Sequence, residues 1–160
     1  TLPYGSTVTE IVPTFTLSEG ASAKIGDVVQ ISGETSVDYT SPVEYVVTAE
    51  DGTTTKTWTV AVLVARNTAT DFLAYSIPNQ VGETVIGEQT INLTMPKDTD
   101  VTALVATFTL SEGALAVVGE VPQVSETTPN DFTGNVTYTV TAEDGVVSKV
   151  WVVSVEVATE

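Results

Sequence analysis

Apolar and polar residues alternate along this chain with the two-residue period of β-strands. In Val136-Thr-Tyr-Thr-Val-Thr-Ala142 the residues Val136, Tyr138 and Val140 share one face and Thr137, Thr139 and Thr141 the other, as a strand with one dry and one wet side requires. The run Val147 to Val157 points Trp151, Val153, Val155 and Val157 the same way and predicts a closing strand. Between the two runs Glu143-Asp-Gly145 predicts a tight hairpin, because Asp-Gly tolerates the positive φ of such turns. Upstream, Phe72 to Ile77 predicts a strand stopped by Pro78-Asn-Gln-Val-Gly82, and Gln89 to Met95 a second stopped by Pro96. Leu104 to Leu110 predicts a third, ended by Ser111-Glu-Gly113, with shorter pieces around Leu115 to Val118 and Gln123 to Ser125. Helical periodicity is absent; valine and threonine dominate, and both favour strands.

The pattern occurs twice. An offset of 93 positions carries Thr1 onto Thr94 without a gap, and Thr14-Phe-Thr-Leu-Ser-Glu-Gly-Ala21 onto the same eight residues at 107 to 114. Val47-Thr-Ala-Glu-Asp-Gly52 falls on Val140 to Gly145, and Lys56 and Trp58 fall on Lys149 and Trp151. About half of the aligned positions are identical, so one unit is written twice, and such a period decides architecture before local reading does. Residues 68 to 93 have no counterpart in the first copy. Short strands at this density, turn signals at short intervals and a tryptophan at one fixed position predict tandem immunoglobulin-like β-sandwiches. The expected domains are 1–67, a repeat lacking its N-terminal strands, and 68–160, a complete repeat. Trp58 and Trp151 are expected to anchor the two cores.

Composition narrows the partners. Hydrophobic residues make up 42% of the chain, enough for two compact cores, while 21 acidic against 5 basic residues give a net charge of −16. A surface of that sign is repelled by nucleic acid and anionic membranes. With no cysteine and no histidine, disulfides, thiolate chemistry and histidine bases are excluded. No 18-residue apolar run predicts a membrane span.

The remaining chemistry is carboxylate chemistry. Asp98 with Asp100, Glu50 with Asp51 and Glu143 with Asp144 are the available acid pairs, each in a predicted turn without an apolar pocket to raise a pKa. The basic residues Lys24, Lys56, Arg66, Lys97 and Lys149 form no Ser-x-x-Lys pattern. No catalytic, cofactor-binding or metal-binding residue is therefore assigned, and the chain is expected not to be an enzyme. Calcium at the joint between repeats is the one cation considered: Asp98, Asp100, Glu143 and Asp144 would lie near the connection Ala65 to Asp71. Without an Asp-x-Asp-x-Asp-Gly loop the expectation is a solvated acidic end, with Arg66 neutralising one carboxylate. The threonine faces suit a solvent-facing strand, Lys56 and Lys149 are expected to form surface ion pairs with the acidic hairpins, and the short connection predicts a semi-rigid pair of modules.

The Phe-Thr-Leu-Ser-Glu-Gly-Ala segment, the Val-x-Tyr-x-Val-Thr-Ala-Glu-Asp-Gly hairpin and the Lys-x-Trp closing strand resemble the bacterial immunoglobulin-like repeats of large secreted and surface proteins of Bacteroidota. The resemblance covers the whole chain and implies an extracellular or cell-surface location. It also implies a stalk, spacer or adhesive role, with neighbouring repeats of the same long chain as partners. The alternative, a carbohydrate- or protein-binding module, calls for a non-repeated exposed patch such as Tyr4, Tyr39 and Lys24; Lys97 and Phe132 replace the two tyrosines in the second copy. A first copy without its early strands is expected to uncover Phe15, Leu17, Tyr45 and Trp58. Three explanations compete: a window from a longer molecule, a strand donated by another chain, or an arbitrary cut. The first is preferred, because Glu160 falls where a next linker would begin.

Overall fold

The computed structural model describes residues 1–159; Glu160, the last residue of the expected second domain, lies outside them. The chain is all-β. Its backbone divides into two compact units, Thr1–Ala65 and Arg66–Glu160.

Unit 1 contains β1 (Ser22–Ile25), β2 (Val28–Gln30), β3 (Val43–Thr48) and β4 (Thr55–Val60) in one antiparallel sheet of order β2-β1-β3-β4. Tyr45 lies opposite Trp58 in the β3–β4 ladder. Two isolated bridges lie outside these strands: Leu2 pairs parallel with Val64, and Ile11 antiparallel with Val37. The core is small, built on Ala23, Val37, Tyr39 and Tyr45 with Phe15, Leu17, Val47 and others packed against them.

Unit 2 adds β5 (Phe72–Ser76), β6 (Val81–Ile86), β7 (Thr90–Met95), β8 (Leu104–Val105), β9 (Thr107–Leu110), β10 (Leu115–Val118), β11 (Val121–Gln123), β12 (Pro129–Asn130), β13 (Val136–Thr141) and β14 (Ser148–Val157). Six of them form a mixed sheet, β11-β10-β13-β14-β7-β6, in which β7 and β14 run parallel; β5 pairs with β9 and β8 with β12 as two further small sheets. The core draws Ile91, Leu93, Tyr138, Val140, Trp151 and Val153 from the six-stranded sheet, and Phe72 and Tyr75 from β5. Phe72 is its hub, with ring centroids 5.4–5.6 Å from Tyr75, Phe108, Tyr138 and Trp151, all edge-on. Edge-on packing sets the positive ring edge against the negative ring face of a neighbour.

Three local readings change. The run Leu104 to Leu110 is two strands, because the chain changes partner at buried Ala106, whose carbonyl accepts the Glu126 N–H at 2.9 Å. Val81–Ile86 is a strand where the Gly82 signal predicts a stop; it lies at the sheet edge, so its side chains are mostly exposed and its hydrophobic pattern is weak. Residues 68–93 therefore hold three strands, β5, β6 and most of β7, rather than two.

The repeated motifs have a common physical cause. Gly113 of Ser111-Glu-Gly-Ala114 takes φ +73°, and a Cβ there would stand 2.6–2.7 Å from the Glu143 Cγ and Cβ atoms; Gly20 takes φ +72°, with Glu50 2.7 Å away. Glycine is required at both positions by conformation and by space. The turn motif and the hairpin motif thus pack on each other in each unit, which ties their sequences together.

Candidate functional site

Each unit has a cleft beside its tryptophan. In unit 2 a cleft of about 480 Å³ is lined by Asp71, Glu88, Gln89 and Lys149 over the edges of Phe72 and Trp151. Lys149 Nζ lies 2.9 Å from Asp71 Oδ1 and 4.5 Å from the centre of the Trp151 ring. The indole N–H donates to the Thr70 carbonyl at 2.9 Å, so residues 70–72 lid the tryptophan and bring Asp71 to the lysine. The cleft gathers an ammonium group, two carboxylates and an amide from three separate stretches of chain. Lys149 pairs with Asp71 rather than with the acidic hairpin expected from its position in the sequence.

In unit 1 the cleft is about 450 Å³ and apolar, lined by Phe15, Leu17, Tyr45, Val47, Trp58 and Val60 among others. Trp58 is 53% exposed against 2% for Trp151, so the expectation of a core anchor in both units holds only for unit 2. Of the residues expected to be uncovered, Trp58 is open, Phe15 and Leu17 are half-buried, and Tyr45 stays buried. The Tyr45 hydroxyl shares a short hydrogen bond with that of Tyr39; burial, the Tyr39 bond and its charge together push the Tyr45 phenol well above its ordinary pKa.

That pair removes Tyr39 from the proposed ligand patch. It is 4% exposed, whereas Tyr4 and Lys24 are exposed. In unit 2 the hydroxyl of Tyr138, the counterpart of Tyr45, meets Tyr75 Oη at 3.1 Å and accepts from Asn130 Nδ2 at 3.1 Å. The phenols of Tyr75 and Tyr138 are both pushed up, chiefly by burial.

Three of the four carboxylates weighed for calcium, Asp100, Glu143 and Asp144, make local hydrogen bonds. Glu143 Oε2 accepts the Asn67 N–H at 2.8 Å, Asn67 Nδ2 donates to the Glu112 carbonyl, and Asp144 N–H donates to the Asn67 carbonyl. Arg66 Nη1 lies 3.4 Å from the Glu143 carbonyl. Asp100 accepts from the Thr102 hydroxyl and amide, which hold its carboxyl below the usual range. Asp131, through the Thr133 amide, and Asp144, through the Val146 and Val147 amides, are lowered in the same way. Among the described residues no three acidic side chains converge on a common point. Asp-x-Thr spacing at Asp38, Asp51, Asp100 and Asp131 is the legible signal for these turns.

Fold and surface define an acidic all-β module in which no helix of the described residues is long and apolar enough to cross a membrane. A family model described as SGBP, N-terminal matches residues 1–62 and 72–155, and the chain belongs to that family of Bacteroidota cell-surface and secreted glycan-binding proteins. It is accordingly an extracellular, carbohydrate-associated module. No curated protein matches it.

Two solved structures are similar. One is described as a putative glycoside hydrolase from Bacteroides thetaiotaomicron VPI-5482, at 34% identity and TM-score 0.48, the match covering 57% of this chain and 26% of that one. The other is a putative secreted protein from Bacteroides fragilis NCTC 9343, at 18% identity and TM-score 0.40, covering 59% of this chain and 97% of that one. The first corrects the expectation that the protein is not an enzyme, since a sequence 34% identical to this one is carried within a protein so described. The match spans about a quarter of that protein's length.

Proposed function

We propose that the chain is a carbohydrate-binding, immunoglobulin-like segment of a Bacteroidota surface protein. Unit 2 is its complete β-sandwich, and unit 1 repeats the module without β5, β6 and most of β7. The observation that carries this reading is the family match across both units. The cleft at Asp71, Glu88, Gln89 and Lys149 supports it by offering donors and acceptors of the kind sugar hydroxyls need. A net charge of −16 opposes uronate-rich or sulfated polymers, so the ligand class is a neutral glycan. Affinity electrophoresis of the whole chain through gels containing neutral or acidic polysaccharides tests it. Retention by a neutral polymer, reduced in Gln89→Ala and Lys149→Ala, is expected; free migration in every gel overturns it.

A spacer role is the second reading. It is favoured by one observation: every aromatic ring of unit 2 is buried or half-buried, leaving no flat platform on which a sugar could stack. Free migration in all gels, with both units folded, is the outcome that supports it.

A further inference from the structure

The six-stranded sheet of unit 2 has an outer face that takes no part in the core. Ala116, Tyr138, Val140, Trp151 and Ile91 are buried on its inner side, so by alternation Leu115, Val117, Thr139, Val150, Val152 and Asn92 point away from it. Leu115 is 74% and Val150 49% exposed. Three rungs tie the face together: Leu115 with Thr141 and Ser148, Val117 with Thr139 and Val150, and Thr137 with Val152 and Thr90.

The repeat supplies an internal control, because both units contain these strands of the sheet. At the outward positions unit 1 has Ser22, Lys24, Thr57 and Thr59 where unit 2 has Leu115, Val117, Val150 and Val152. On the hairpin beyond, Thr53 and Thr54 stand where unit 2 has Val146 and Val147, both exposed. Glu44 corresponds to Thr137, and only Val46 differs in the opposite sense, with Thr139 in its place. None of these valines, nor Leu115, packs against the core of unit 2, so core packing does not account for them. A solvated strand face prefers threonine, as unit 1 has. The face is also nearly free of charge: among the outward positions of β7, β10, β13 and β14 the one charged residue is Glu156, opposite Thr94 at the end of the sheet.

We propose that this face is a docking surface for a second copy of the chain, the two sheets meeting face to face about a two-fold axis. Two bodies of net charge −16 repel each other, and they approach at least cost where neither presents a charge. A cationic partner would be drawn to the acidic remainder of the surface, and an anionic lipid surface would be repelled by it. An isologous contact needs a patch that complements itself, and a pleated stretch of leucine, valine and threonine does so, as the inner faces of stacked sheets do. Six strands about 4.8 Å apart, with about five residues each at roughly 3.3 Å, present on the order of 500 Å². A pair then buries about 1,000 Å², which belongs to weak, reversible association. Glu83 and Glu120 are exposed on the flanking strand β6 and on the β10–β11 turn, so salt should strengthen the contact by screening them. The inference uses none of the cleft residues proposed for glycan and does not depend on that reading.

A dilution series of the full chain, followed by sedimentation velocity and methyl NMR, tests it. The sedimentation coefficient should fall on dilution, and the methyl signals of Leu115, Val117, Val150 and Val152 should move with concentration. Association should be tighter at about 0.5 M than at about 0.05 M sodium chloride. Leu115→Ser combined with Val150→Thr gives unit 2 the residues of unit 1 at those places; it should weaken association about tenfold or more by removing four apolar side chains from the pair, with thermal melting unchanged. A constant sedimentation coefficient and fixed methyl signals up to about 1 mM protein, the limit of weak binding, overturn the proposal. So does association that the double variant leaves intact, or concentration-dependent shifts that fall on other residues. A neutral oligosaccharide that moves these four methyl signals where dilution does not would give the face to a ligand and overturn it as well.

Discussion

Unit 1 and unit 2 carry the same Lys-x-Trp strand, yet Trp58 is half in solvent while Trp151 is sealed. The hairpin of β3 and β4 reproduces that of β13 and β14 in register, Tyr45 opposite Trp58 and Tyr138 opposite Trp151. The small polar contacts are reproduced as well: Phe15 N–H to Ser32 Oγ and Phe108 N–H to Ser125 Oγ are both 2.8 Å. What differs is β5 to β7. Burial of the tryptophan is therefore a property of the segment laid over it, whereas its orientation belongs to the hairpin that carries it.

The strongest way to break that contrast is Phe72→Ala. It removes the ring at the centre of the aromatic cluster and should cost unit 2 about 3–5 kcal/mol, as large-to-small core changes do. Trp151 should become quenchable like Trp58. Urea unfolding followed by tryptophan emission checks both. A loss below about 1 kcal/mol, well under the usual cost of emptying a core, would mean that β5 contributes little to the cover.

Gly113→Ala and Gly20→Ala come next and should act alike, since each Cβ meets a glutamate side chain at 2.6–2.7 Å and each φ is left-handed. A loss of about 2–3 kcal/mol is expected in either unit. Equal losses would place the motif's role within the turn and hairpin; a much smaller loss at Gly20 would show that β5 is needed to hold Glu50 and its turn in place.

The hairpins, the turns and the repeat are legible in the sequence because their signals are local: alternation in Val136–Ala142, Asp-Gly in the turn, Asp-x-Thr in the loops. Burial is not local. Trp58 and Trp151 share the same Lys-x-Trp-x-Val setting, and that shared pattern does not distinguish the open ring from the sealed one. Tyr39 reads as an exposed ring for the same reason, since its hydroxyl partner Tyr45 is set by packing rather than by spacing. The strand Val81–Ile86 is hidden by its edge position, where little apolar pattern is required. The cleft at Asp71 and Lys149 joins residues 78 positions apart, and neither carries a mark of it in sequence.

Asn130 offers a smaller contrast. Its amide donates to Gln123 Oε1 at 2.7 Å and to Tyr138 Oη at 3.1 Å, whereas Val37 stands in its place in unit 1 and Gln30 Oε1 is buried without a partner. Asn130→Val should make unit 2 resemble unit 1 at a loss of about 1–2 kcal/mol, the usual cost of stranding a buried acceptor. Thermal melting measures it. No loss would mean that water serves both glutamines equally well.

The smallest difference lies in the two hairpin aspartates. Asp51 accepts from the Thr54 hydroxyl and from the Thr53 and Thr54 amides, which lower its pKa from 3.8 to about 2. Asp144 has only the amides of Val146 and Val147, with a minor contribution from Arg66. A lowered carboxyl stabilises the folded state above its unfolded pKa, and that contribution is lost as the pH falls through the folded value. For Asp51 the window runs from 3.8 down to about 2. Both groups are fully exposed, so the effect on stability is slight and the titration itself is the better measurement. Thr54→Val gives unit 1 the residue that unit 2 has at Val147; it should raise the Asp51 pKa toward 3.8 and leave Asp144 unmoved, as carboxyl-carbon NMR titration would show. An unchanged Asp51 would place the cause in the backbone amides alone, and the two hairpins would then be electrostatically the same turn.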